Sequence, residues 1–271
     1  MKRPRFLAVI GHSKPVQTKQ SARFGSVTIA FMRSSMILFL GFLTGCAPDE
    51  PSSVDSKGWR KIQKFGPAVS IPRDGALRLE YGVAGGAAVF DADGDGDLDI
   101  LFTGTGPESP TRLWRQTNSL EFVDVTEGAG FDTPFFGIGA TAGDVDGDGD
   151  IDVLITGRLG SQLYRNNGVG IFEQFTNFLA PKCSSSATFV DYDVDGDLDL
   201  FVCRYADISL NPDKECRDPA GRLELCGPTA HPPLHDLLLK NDGAGNFTDV
   251  SSQHGLDRVA AAGLGVVVDD F

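Results

Sequence analysis

Acidic residues are absent from the first 48 positions, where seven lysines and arginines fall. From Asp49 onward the balance reverses to 17 basic against 37 acidic residues. Such a surface repels nucleic acid and anionic headgroups and attracts cations, so no nucleic-acid partner is expected. Long apolar runs are missing as well. Met36–Leu43 has eight residues where a membrane-spanning helix needs about 20. No C-x-x-C spacing occurs among the five cysteines, which weakens zinc and thioredoxin-type readings. There are four histidines, His12, His231, His235 and His254, and no G-x-S-x-G. His231 and His235 are four apart, but Pro232 and Pro233 between them oppose a helix that would aim both at one metal. "GTGPES" (104–109) lacks the strand–helix context of a phosphate loop. A catalytic constellation is therefore not evident, and the expectation is a non-enzyme. Extended amphipathic 3.6-residue periodicity is missing too, while 33 glycines and 19 phenylalanines suit short strands joined by tight turns. The expected class is all-β.

The basic start reads as an address. In "MRSSMILFLGFLTGC" (32–46), Arg33 precedes the apolar core and small residues precede Cys46. This fits a secretory signal and resembles a bacterial lipoprotein signal, in which the cysteine of an L-x-G-C box is lipidated; an ordinary signal with an incidental cysteine is the alternative. Residues 1–45 are then an upstream segment plus signal, with Met32 the expected true start and no structural pattern in residues 1–31. Residues 46–75 are a lipid-anchored tether and lead-in, containing the Pro- and Ser-bearing "PDEPSSVDSKG" (48–58). The expected location is the cell envelope, at the outer membrane or cell surface, with membrane attachment through the lipid alone. Export also places Cys183, Cys203, Cys216 and Cys226 in an oxidising compartment. Cys216 and Cys226, ten apart in one polar segment, are disulfide candidates; Cys183 and Cys203 follow by elimination.

From residue 76 to 271 one pattern recurs. "DADGDGDLD" begins at 91, "DVDGDGDID" at 144 and "DYDVDGDLD" at 191. Five residues before each first aspartate stands a small residue, Gly86, Gly139 or Ser186. After each string comes a β-prone run, "LDILFT", "IDVLIT" or "LDLFVC". A further block follows, "LWRQTNSLEF", "LYRNNGVGIF" or "LLKNDGAGNF", which has the chemistry of a hairpin. One unit is thus four antiparallel strands in about 50 residues, a propeller blade. Spacings of 53 and 47 residues separate the three strings, and Gly265 stands five before Asp270 at the opening of a fourth unit. That last spacing is 79 because residues 204–236 form an insertion. The expectation is an incomplete β-propeller of about three blades plus the start of a fourth. An unclosed arc would leave "GLGVVV" as an edge strand with unpaired backbone groups, to be completed by missing C-terminal blades or a partner.

Aspartates gathered this densely repel unless a cation holds them; solvated acidic turns are the alternative. A D-x-D-x-D-G-x-x-D turn suits Ca²⁺, which takes six to eight oxygens. The expected ligands are Asp91, Asp93, Asp95, the carbonyl of Asp97, and Asp99 in the first loop. In the second they are Asp144, Asp146, Asp148, the carbonyl of Asp150, and Asp152. In the third they are Asp191, Asp193, Asp195, the carbonyl of Asp197, and Asp199. About three Ca²⁺ ions are expected. Gly96, Gly149 and Gly196 allow the sharp turn at position 6. Position 4 is Gly94, Gly147 or Val194, so glycine there is expected to be dispensable. EF-hands are excluded, because position 12 is Phe102, Ile155 or Val202 inside a strand rather than glutamate.

These strings resemble the FG-GAP/VCBS repeats of integrin-α-type β-propellers. "RYADISLNPDKEC…LELCGP" followed by "LLLKNDGAGNFTDVSSQHGL" is similar to bacterial propellers related to cartilage acidic protein, often associated with an ASPIC/UnbV region. The resemblance implies a calcium-stabilised extracytoplasmic propeller used for adhesion, scaffolding or binding, with a protein or polysaccharide ligand. A fragment of a larger propeller hydrolase or lyase, or a nonfunctional gene fragment, stays open as an alternative.

Overall fold

The computed structural model describes Arg5–Val9, Val27–Thr28, Gly41–Phe42 and residues 85–269, apart from 107–108, 119–120, 176–179 and 212–213. Cys46 with the tether and lead-in, the stretch 76–84, and Asp270 lie outside the described residues. Strands β1 (Arg5–Val9), β2 (Val27–Thr28) and β3 (Gly41–Phe42) precede the repeat region.

Three four-stranded sheets follow in chain order. The first blade comprises β4 (Ala87–Phe90), β5 (Asp99–Phe102), β6 (Arg112–Asn118) and β7 (Glu121–Asp124). The second comprises β8 (Gly137–Gly143), β9 (Asp152–Gly157), β10 (Gly160–Asn166) and β11 (Phe172–Gln174). The third begins with β12 (Ser184–Val190) and β13 (Asp199–Arg204). The insertion intervenes with the small hairpin β14 (Cys216–Arg217) and β15 (Leu223–Glu224), and β16 (Leu237–Asn241) and β17 (Phe247–Asp249) complete the sheet. All pairings within blades are antiparallel between sequential neighbours of the sheet. Each acidic string joins the first strand of a blade to its second. Among the described residues the helical pieces are short 3₁₀ turns, and no helix is long and apolar enough to cross a membrane.

Blades pack face to face, and the second strands show why their sequences run apolar without alternation. β5 and β9 are buried at every position, because each is covered on both faces. Leu101, Leu113, Val153, Ile155, Tyr164 and Phe172 form one core between the first two blades. Within it the rings of Phe131 and Phe172 lie 5.0 Å apart, and Phe90 meets Phe172 edge-on at 6.2 Å. Leu154, Leu163, Leu200, Val202, Leu237 and Leu239 form the matching core between the second and third. First strands of adjacent blades lie side by side. This explains the small residue five before each string: a Cβ on Gly86 would sit 2.5 Å from the Gly139 Cα.

Two expectations change here. The strand β18 (Gly265–Asp269), expected to have unpaired edges, pairs antiparallel with β1, from Arg5↔Asp269 to Val9↔Gly265. Arg5–Val9 therefore supplies backbone partners on one side of that strand. Cys216 and Cys226 are bonded, with sulfurs 2.05 Å apart. Cys183 and Cys203 are not in a disulfide. They sit in different buried clusters, Cys183 with Tyr205 and Ile208, Cys203 with Phe201 and Leu238. Burial pushes the Cys203 thiol up to about 12, the reverse of what a reactive thiolate requires.

Candidate metal centres in the acidic loops

Each loop is organised around its last aspartate. Asp99, Asp152 and Asp199 begin the second strands and are almost wholly buried. One oxygen of each accepts the N–H of loop position 2: Ala92 at 2.9 Å, Val145 at 3.1 Å and Tyr192 at 3.1 Å. The other accepts an N–H from the third strand, Gln116 at 2.8 Å, Asn166 at 2.8 Å and Asn241 at 2.9 Å. Burial outweighs these donors and pushes the Asp152 carboxyl up to about 6, and raises Asp99 and Asp199 for the same reason.

Around that anchor the chain brings three carboxylates together. Ligand-type oxygens of Asp91, Asp93 and Asp99 lie within 4.8 Å of one another, as do those of Asp144, Asp146 and Asp152, and of Asp191, Asp193 and Asp199. In the first two clusters one oxygen of the position-3 residue, Asp93 Oδ1 or Asp146 Oδ1, is buried and accepts no hydrogen bond. A buried anionic oxygen without a donor is costly, and a divalent cation among the three carboxylates satisfies it. The residues present fit such an ion.

The side chains at positions 5 and 7 stand apart from these clusters. Asp95, Asp148 and Asp195 are exposed and stand outside the three clusters. One oxygen of each instead accepts the N–H two residues on, at 2.9, 2.9 and 3.1 Å, an Asx turn that shapes the loop. The side chains of Asp150 and Asp197 lie against the hairpin glycines Gly168 and Gly243; Asp97 is exposed.

The FG-GAP-like repeat profile matches residues 91–155 and 144–202, the first two loops and the third with the strands around them. Residues 91–202 thus match FG-GAP-like repeats. Mouse cartilage acidic protein 1 is 27% identical over 72% of this chain and 38% of its own length. The Xenopus tropicalis protein of the same name is 24% identical over 74% of this chain and 40% of its own. The chain thus spans about two-fifths of the length of these curated relatives. Among solved structures, an Agrocybe aegerita lectin that recognises non-reducing terminal N-acetylglucosamine is 18% identical, with a TM-score of 0.36 over 61% of this chain and 37% of the lectin.

The FG-GAP-like repeats contain a second set of site residues that the spacing of aspartates did not reveal. One cation from each third strand reaches the position-3 carboxylate. Arg115 Nε is 2.7 Å from Asp93, and Arg165 Nη1 is 3.5 Å from Asp146. Lys240 bonds Asp193 and also Asp195, the latter at 2.9 Å. Hydrogen bonds to Lys240 hold the Asp195 carboxyl below its ordinary range. The signal was visible as the aligned Arg, Arg and Lys of "LWRQ", "LYRN" and "LLKN".

Position 4 of the FG-GAP-like loops is left-handed in all three, with φ of 75° at Gly94, 74° at Gly147 and 65° at Val194. Glycine there is conformationally favoured, so its replacement in the third loop is a strained substitution rather than a free one.

His231 is buried after a 3₁₀ turn, the carbonyl of His235 accepts from Arg204, and His254 packs edge-on against Tyr192 at 5.1 Å. A cavity of about 310 Å³ is lined by Ile138, Cys183, Ser185, Tyr205 and Leu264, none of them a histidine or carboxylate.

Proposed function

We propose that the FG-GAP-like repeats form a calcium-stabilised, extracytoplasmic binding module of the adhesion or scaffolding kind, held to a membrane by lipid at Cys46. The observation that carries the calcium reading is the convergence of three carboxylates per loop, with Asp93 Oδ1 and Asp146 Oδ1 buried and unpartnered. A bound Ca²⁺ would supply the positive charge that lets these aspartates stay ionised in a buried site. The protein's own part is to pre-form the cluster. Asp99, Asp152 and Asp199 are fixed by paired backbone donors, and the first aspartate of each loop accepts the N–H of position 6 at 2.9, 3.0 and 3.1 Å. The FG-GAP-like repeats and the relationship to cartilage acidic protein 1 support a non-catalytic role. The ligand class is protein or polysaccharide.

Calorimetric titration of the chelated protein tests the first part, with uptake approaching three Ca²⁺ expected and no uptake at millimolar calcium overturning it. Metabolic labelling with a fatty-acid analogue tests the second. Wild type should label and Cys46→Ala should not. Cleavage before Cys46 would also remove β1 and its pairing with β18.

A further inference from the structure

We propose that each acidic loop is also one half of a clasp between successive blades. The third loop presents that half open, as a docking surface for a β-hairpin of a separate blade whose turn reads Asn-x-Gly-x-Gly. The clasp occurs twice within the chain. At the first joint the Asn166 amide donates to the carbonyl of Ala92 in the preceding loop at 2.8 Å, and to Ile151 of its own loop at 3.1 Å. At the second, Asn241 donates to Val145 at 2.7 Å and to Leu198 at 3.0 Å. A cation answers from the other side. Arg115 Nη2 donates to the Val169 carbonyl at 3.4 Å, and Arg165, stacked 4.2 Å over Phe175, donates to that of Ala244.

The turn sequence follows from these contacts. In "NNGVG" and "NDGAG" the final glycines, Gly170 and Gly245, have φ of 76° and 75°. A Cβ there would meet Arg115 Nη2 at 3.1 Å and Arg165 Nη2 at 2.5 Å. Asparagine spans the two carbonyls; glutamine would carry its amide one methylene too far.

The third loop has the same receiving geometry without the incoming turn. Tyr192 stands where Ala92 and Val145 stand and makes the same bond to its last aspartate. Among the described residues no side chain donates to its carbonyl. Ala92 and Val145 are 1% and 2% exposed beneath their turns, whereas Tyr192 is partly open. Lys240, with no turn carbonyl to reach, folds back onto Asp193 and Asp195. A second copy of this chain is not the occupant. Its hairpins at Asn166 and Asn241 are already engaged, and its first blade offers "QTNSL" (116–120), with Gln116 for asparagine and Asn118 and Leu120 for the glycines.

The contacts are direct protein hydrogen bonds, so the inference does not depend on calcium. The test titrates the full chain with a head-to-tail cyclised peptide of residues 160–175, which carries "NNGVG", because an isolated two-stranded hairpin is marginal in water. Backbone amide shifts are followed in calcium and in chelator, and calcium uptake is measured separately on the same sample. We expect saturable shifts confined to residues 191–199 and neighbours of Lys240, with about tenfold weaker binding by the Asn166→Gln peptide. That selectivity in either buffer supports the proposal. Absence of shifts at about millimolar peptide in both buffers, equal binding by the two peptides, or concentration-dependent self-association perturbing the same loop would overturn it.

Discussion

The first two acidic loops and the third are built from nearly the same nine residues, yet they are held differently. In the first two, position 4 is glycine, and its N–H donates to the leading aspartate at 2.8 Å. In the third that bond comes from Asp195 instead, at 3.1 Å, while Val194 is held left-handed. The first two are capped by the next blade, and their arginines bridge from one oxygen of Asp93 or Asp146 to the incoming hairpin, leaving Asp93 Oδ1 and Asp146 Oδ1 buried and unpartnered. Lys240 of the third loop places its ammonium between two of the carboxylates. What lies over a loop therefore shapes its carboxylate cluster as well as its own aspartates do. The second loop should be the most rigid site and the third the most compromised.

Asp152→Ala should break the comparison most severely. It removes the acceptor of both the Val145 and Asn166 N–H groups at the joint of two blades. A loss of roughly 2–5 kcal/mol is expected from chemical denaturation, the cost of two buried donors left unsatisfied. The same change at Asp199, whose loop is open on one side, should cost less. Equal losses would mean that the neighbouring blade contributes nothing.

Calcium removal comes next. For a site held at about a hundredfold above its dissociation constant, stabilisation is about 2.7 kcal/mol. EDTA should therefore lower the melting temperature clearly, and back-titration should fill the loops in two classes, the third last. Lys240→Met should move the third site toward the others. Uniform filling before and after that substitution would remove Lys240 as the source of the difference.

The metal-free protein should also respond to pH. Burial holds the proton on Asp152, whose folded pKa of about 6 exceeds the ordinary 3.8. A raised carboxyl stabilises the fold fully below the ordinary value, and that contribution is lost as pH rises through about 6. Chelated protein should lose stability over that window, and calcium should abolish the loss. Asp152→Asn should flatten the profile. A chelated profile that rises over the same range would contradict this assignment.

The smallest effect is expected at Val194→Gly. Relief of the left-handed strain is partly offset by the greater freedom of glycine in the unfolded chain, leaving a gain of about 0.5–1 kcal/mol. Gly147→Val in the second loop should lose a similar amount.

Periodicity determined much of this by itself. Repeats of a fixed block make the strand order, the blades and the position of each acidic loop readable without coordinates, because alternating turns and buried strands leave a local record in residue type. Carboxylates at positions 1, 3 and 9 were legible for the same reason, as was the Cys216–Cys226 loop, whose ends are near in sequence. Position 5 reads two ways in the sequence, because an Asx turn and a cation site use the same residue at the same spacing, and the folded loop shows the Asx turn there. Cys183, just before β12, and Cys203, on β13 opposite Ser186, enter different cores, a distinction that counting cysteines does not resolve. Tertiary structure alone decided what crosses between blades: Arg115 over the second hairpin, Asn166 on the Ala92 carbonyl, Lys240 turned back on its own loop. Those partners are up to 74 residues apart, and their meeting depends on blades stacking face to face, which no local pattern of residues specifies.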